Sequence, residues 1–93
     1  MSDLIDVRQD SIWWYCPGCE GAHRISIEPG RWTWNGDEAR PTFEPSVLST
    51  WRGEEPERCH CFVREGRIEF LNDCTHGLAG QTVPVPPLPD WMR

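Results

Sequence analysis

The sequence predicts a mostly β fold: small, zinc-ribbon-like antiparallel sheets with one short helical turn near residues 74–79. Three observations lead there. An apolar run, Ile12-Trp13-Trp14-Tyr15, enters the knuckle Cys16-Pro17-Gly18-Cys19. Stretches of alternating apolar and polar residues recur at strand length. The pairs Asn35-Gly36 and Glu65-Gly66 separate such stretches, and Asn-Gly is the strongest short-range hairpin signal.

Ninety-three residues predict one domain, 1–93. Residues 1–10 read as a loose N-terminal arm or a short edge strand, and 84–93 as a Pro-rich extended tail. A chain of this size buries a modest core, so a metal staple suits it. Five Cys is an odd number, and the N-terminus is polar without a signal-peptide pattern. A reduced, cytoplasmic setting in a bacterial host fits this better than disulfides do. No apolar run approaches the roughly 18 residues that would cross a membrane. Net charge is −6, with 15 acidic residues against 9 basic ones, all of them Arg. An acidic surface repels phosphate backbones, which argues against a nucleic-acid partner.

The elements follow in order. In residues 11–15, Trp13 and Tyr15 share one face of a strand and Ile12 and Trp14 the other. Residues 23–28 alternate, with Ile25 and Ile27 inward. Residues 31–34 form a strand carrying Trp32 and Trp34 on one face, and Asn35-Gly36 turns it. Two prolines hold residues 41–45 out of helix, since each also restricts the residue before it. Residues 46–51 are a strand, and 52–58 an acidic, mobile loop. Residues 59–63 and 67–71 make a hairpin about Glu65-Gly66, which sets Arg64 opposite Arg67 and Cys61 opposite Phe70. In residues 73–80, Asp73 is the expected N-cap of the helical turn and Gly80 its C-cap. Trp91 is expected to anchor the tail.

Cys16 and Cys19 supply half of a structural metal site. Pro17 and Gly18 shape the tight turn that lets both sulfurs reach one ion at about 2.3 Å. The other half comes from Cys59, His60, Cys61, Cys74 or His76. Hairpin parity gathers Cys59 and Cys74 on the buried face, so the predicted Zn2+ ligands are Cys16, Cys19, Cys59 and Cys74, with His60 and His76 as alternates. No helix-periodic run follows Cys19, which disfavours a redox Cys-x-x-Cys. His23 is expected to hydrogen-bond a cysteine or a carbonyl. Among six Trp, those at 32, 34 and 14 are candidates to frame a ligand or partner surface. Thr42 and Ser46 read as turn hydroxyls, because nothing in the sequence places a base beside them.

The strings WxCPGC…H, WTWNG…RPTFxPSV and CHxFVRxGRIxFLxDCTHxLAGQTVxxP span residue 13 to about residue 86. They resemble a family of small zinc-knuckle phage and prophage proteins of unknown function, often labelled "ammonia monooxygenase". The resemblance implies a phage-type accessory protein and a pattern holding Cys16, Cys19, Cys59, His60, Cys74 and His76. At Cys61 that family often carries a small polar residue. A short chain without membrane spans or copper sites offers nothing to support the monooxygenase label. The expected function is a protein-interaction module with a structural zinc, acting on a host or phage protein in host takeover or counter-defence. The alternatives are a Trp-cage binder of a small ligand or nucleotide, and a small zinc hydrolase. An exposed Trp and a Pro-rich tail are also compatible with a homodimer.

Overall fold

The computed structural model describes residues 3–51 and 57–93, and within them eight strands form two antiparallel sheets. The first sheet holds β1 (Asp6–Arg8), β2 (Ser11–Cys16) and β3 (Gly21–Ser26) in that order. The second holds β4 (Thr33–Trp34), β5 (Phe43–Trp51), β6 (Glu57–Arg64), β7 (Arg67–Phe70) and β8 (Thr82–Pro84), again in chain order. The mostly β expectation holds. No helix of the described residues is long and apolar enough to cross a membrane.

Strand periodicity sorts the side chains. On β2, Ile12 and Trp14 are fully buried, while Trp13 and Tyr15 stay part-exposed on the other face. On β6, Cys59, Cys61 and Val63 point inward, and Arg58, His60 and Arg64 point outward. The inward faces of both sheets meet in one core, where Trp14 packs on Phe43 with ring centroids 5.2 Å apart. The hairpin register is as the sequence indicates, with Arg64 opposite Arg67 and Cys61 opposite Phe70. Glu65 and Gly66 both take positive φ in its two-residue turn, at 49° and 78°. Such a turn matches the twist of the flanking strands.

Three details differ from the expectations, and one open alternative is decided. Residues 74–79 form consecutive tight turns, and the single short helical turn lies at Asp90–Met92 instead. The cause is competition: the side chains of residues 73–76 bond to β6 and do not cap a helix. Asn35 closes a loop longer than two residues, where its Oδ1 accepts from the Asp37 and Thr42 N–H groups and its Nδ2 donates to the Arg40 carbonyl. The C-terminal segment is anchored by Val85 and Leu88, both buried, whereas Trp91 is 66% exposed. Of the N-terminal arm, the described residues from 3 onward take the edge-strand alternative through β1, with Ile5 fully buried. The predicted acidic loop at 52–58 lies, as far as residue 56, outside the described residues.

Candidate active site and metal centre

Two constellations sit on opposite faces of β6. The inner one begins at the knuckle between β2 and β3. The ligand-type atoms of Cys16, Cys19, Cys59 and His76 all lie within 4.8 Å of one another. Cys16 Sγ and Cys59 Sγ are 3.9 Å apart, and His76 Nε2 faces Cys59 Sγ at 3.4 Å. The Cys19 N–H donates to Cys16 Sγ at 3.4 Å, as a metal knuckle requires. Gly18 is needed for a steric reason: a Cβ there would overlap the His76 imidazole. The Phe70 ring holds that imidazole edge-on at 4.7 Å between centroids.

The charge balance favours a cation. The contact with Cys59, then burial, pushes the Cys16 thiol up to about 12. Burial, then the nearby Cys16, pushes Cys19 up to about 12. At Cys59 the hydrogen bond with Cys16 pulls downward, but contact with Cys61 and burial outweigh it and raise the pKa. Three crowded thiols therefore resist ionising by themselves, and a divalent cation reverses that balance. Burial lowers the His76 pKa, which keeps the imidazole neutral and able to ligate. The three sulfurs and one imidazole nitrogen are thus placed to hold a metal ion.

Cys74, expected in this set, stands elsewhere. Its Sγ accepts from the His60 N–H at 3.2 Å and donates to the His60 carbonyl at 3.2 Å. Both contacts are to the main chain of one residue, and Cys74 is not among the four whose ligand-type atoms converge. His76 stands with the three sulfurs of Cys16, Cys19 and Cys59 instead. Cys61 is buried beside Cys59 and is not one of the four. His23 is buried, with Nδ1 3.1 Å from Ser49 Oγ. It lies close enough to Cys16 to lower that thiol's pKa against the larger upward effects.

The outer constellation is one that sequence reasoning did not assemble. His60, an alternate metal ligand by sequence, turns away from the metal-type cluster. Its Nε2 lies 3.1 Å from Ser46 Oγ, and its Nδ1 lies 3.1 Å from Asp73 Oδ2. Arg58 also reaches Asp73 Oδ2, at 3.6 Å. An ionised carboxylate only accepts, so Nδ1 carries the proton. In the neutral ring Nε2 is then the acceptor, placed to take a hydrogen bond from the Ser46 hydroxyl. That is the geometry and the tautomer of a Ser–His–Asp triad, which is recognised by roles and distances and not by sequence position.

The backbone explains how these three meet. Phe43 pairs with Val63 and Val47 with Cys61, so Glu44, Pro45 and Ser46 stand opposite Phe62 alone. Such a bulge re-aims a side chain. The Trp32 indole N–H donates to the Ser46 carbonyl at 3.2 Å and pins this irregular stretch. Leu48 lies directly opposite His60 and is 54% exposed, an apolar neighbour to the triad. Thr42, by contrast, is a turn hydroxyl, accepting from the Glu65 N–H at 2.8 Å. Of the candidate Trp surface, Trp14 is fully buried in the core. Trp32 and Trp34 are part-buried and line a cleft of about 350 Å³ that runs along residues 27–34.

A hydroxyl, a base and an orienting carboxylate in hydrogen-bond sequence define the chemical class: the activated-serine constellation used in acyl transfer. The sequence independently matches the family described as bacterial ubiquitination-like system serine protease (BubE), over residues 2–71, and the chain belongs to that family. The match includes Ser46 and His60 and stops just before Asp73. The family is defined by a bacterial ubiquitination-like system, and nothing in its description refers to phage. No curated protein and no solved structure matches the chain.

Proposed function

We propose that this protein is a serine peptidase of a bacterial ubiquitination-like system. Ser46 is the nucleophile, His60 the general base and acid, and Asp73 the group that holds His60. The observation that carries this reading is the continuous hydrogen-bond line Ser46–His60–Asp73, at 3.1 Å and 3.1 Å. The family description supports it from an independent direction.

In the proposed reaction Ser46 Oγ attacks the carbonyl carbon of the scissile bond while its proton passes to His60 Nε2. The resulting imidazolium is stabilised by Asp73 across Nδ1–H. His60 then gives the proton to the leaving group, and the C–N bond breaks to leave an acyl group on Ser46. Water, deprotonated by His60, attacks the acyl carbonyl and restores the free hydroxyl. The substrate class is a protein of the ubiquitination-like system, cleaved at an amide bond. The open sheet face about Leu48, and the cleft whose Trp32 holds the Ser46 carbonyl, are the surfaces that receive it.

The metal-type cluster serves this reading as a structural staple. A set of three thiolates and one imidazole is characteristic of structural Zn2+, and four protein ligands leave no position for substrate. The zinc hydrolase alternative needs that open position, and the nearby Ser46–His60–Asp73 line supplies a nucleophile without it.

The deciding experiment is labelling with a fluorophosphonate probe, followed by peptide mapping. The expected adduct is on Ser46, and Ser46→Ala abolishes both labelling and cleavage of the system's proteins. Labelling elsewhere, or full cleavage by Ser46→Ala, would overturn the assignment. If Ser46→Ala is as active as the native protein while metal is bound, the zinc hydrolase reading takes its place.

A further inference from the structure

We propose that Cys74 is a positioning residue for the triad: its thiol clips residues 71–76 to the backbone of His60 and so sets Asp73 against the imidazole. The inference rests on the triad reading above and assigns a task to the one knuckle-pattern cysteine that the metal-type cluster leaves out.

Residues 71–76 follow β7 and run back along β6. The Leu71 N–H donates to the His60 carbonyl at 2.9 Å, which carries the hairpin register one step past β7. Asp73 then turns outward to the His60 ring. Cys74 turns back and closes a two-way bond with the same residue's N–H and carbonyl, both at 3.2 Å. Thr75 repeats the device one residue pair further on, its Oγ1 accepting from the Arg58 N–H at 2.9 Å and donating to the Arg58 carbonyl at 3.2 Å. His76 ends the run in the metal-type cluster at Cys59.

His60 is therefore gripped twice by adjacent residues: its ring by Asp73 and its main chain by Cys74. The two grips are complementary. The ring bond fixes the tautomer, and the main-chain clip fixes the distance between the strand that carries the base and the turn that carries the carboxylate. A thiol suits the clip because it donates and accepts at once, and its long C–S bonds span a gap that a regular β-ladder would fill with backbone. Cys74 is also largely buried, which limits the access of water to the two bonds.

The first test uses the native chain and cadmium-113 alone. In the cadmium-loaded protein, scalar coupling to the ion is expected from the β-protons of Cys16, Cys19 and Cys59 and absent from those of Cys74. Coupling to Cys74 makes it a ligand and overturns the proposal. The second test compares Cys74→Val, which removes both bonds at similar volume, with Cys74→Ser, which can restore them, using p-nitrophenyl acetate as substrate. Misplacement on the ångström scale costs up to about 100-fold in rate, so kcat of Cys74→Val is expected to fall by roughly 10- to 100-fold with KM nearly unchanged. Cys74→Ser should recover most of that loss, and Thr75→Val should lower stability with a smaller loss of kcat. Equal kcat losses in the Ser and Val variants, or a loss that follows bound metal content, would sink the idea. The low-field Nδ1 proton of His60 separates this proposal from the peptidase reading. Its loss in Cys74→Val supports the clip even if the native protein hydrolyses nothing, and its persistence unchanged refutes the clip even if the peptidase is real.

Discussion

Cys59 and His60 are sequence neighbours that serve opposite faces of one strand. The Cys59 thiol points into the core toward Cys16 and His76, and the His60 ring points out toward Ser46 and Asp73. Alternation along β6 alone separates a metal-type cluster from a catalytic-type triad. Any displacement of β6 therefore reaches both.

Asp73→Asn should leave the fold intact and remove activity. An amide can donate to Nδ1 and favour the tautomer with the proton on Nε2, where it cannot accept from Ser46. Comparable replacements in triads reduce kcat by about 10⁴. The expected readouts are lost fluorophosphonate labelling and an unchanged melting temperature. Native-level labelling in this variant would remove Asp73 from the triad.

Metal binding should strengthen as pH rises toward the thiol range. The ion binds thiolates, and contact with Cys59 and burial at Cys16, and burial and the nearby Cys16 at Cys19, hold these thiols up at about 12, so each bound ion displaces protons. The metal-free chain should show the reverse trend. Folded pKa values lie above the ordinary thiol value of 9.0, so the unfolded chain gives up protons first. This contribution to stability is complete below pH 9 and is lost as pH rises from there through about 12. Titration of zinc affinity by a competing chelator, and chemical denaturation of the metal-free protein across that window, check the two slopes.

Chelation should unfold the domain or lower its melting temperature strongly, because a metal that ties β2, β6 and the 71–76 turn together contributes its binding free energy to folding. Circular dichroism before and after chelator measures this. A melting curve that does not move would make the cluster a thiol pocket without a structural metal.

Gly18→Ala should weaken metal binding more than it perturbs the strands. The added Cβ meets the His76 ring, which must leave its place beside Cys59. Cobalt substitution reads this directly: three thiolates persist in the charge-transfer band while the imidazole contribution is lost. A native cobalt spectrum would show that the knuckle has room to spare.

Trp14→Ala and Trp91→Ala should part company. Trp14 is fully buried between His23 and Phe43, and truncating such a residue costs about 3–5 kcal/mol. Trp91 is 66% exposed, and a substitution there should stay within about 0.5 kcal/mol. Denaturant midpoints of the two variants supply the comparison.

Much of the fold was legible because it depends on local rules. Alternation placed Ile25 inward and put Ile12 and Trp14 on one face without saying which face was buried, and the Glu65-Gly66 turn set the β6–β7 register to the residue. The knuckle and Cys59 followed from spacing and parity. Parity put Cys74 on the buried face, where it lies, but beyond β7 its thiol meets the His60 main chain and stands outside the group of four. His76, kept as an alternate, reaches the cluster through the tight turns of residues 74–79, whose path no periodicity encodes. The triad was hidden for a related reason. Parity already turned His60 away from Cys59, and that was the available signal. Bringing Ser46 to it requires the β5–β6 pairing across a bulge, and a three-against-one irregularity cannot be read from hydrophobic pattern.

The bulge in β5 has a consequence for length variation among proteins built this way. Restoring a regular ladder by deleting Glu44 and Pro45 would leave Ser46 opposite Phe62 with every inward residue still inward. The sheet would keep its core, but Ser46 would lose the bulged backbone that aims its hydroxyl at His60. A deletion of one residue would instead leave two residues against Phe62, a bulge of the common kind, with Val47 still opposite Cys61. Shortened relatives are therefore expected to keep the fold and to lose the chemistry once the bulge that aims Ser46 is gone.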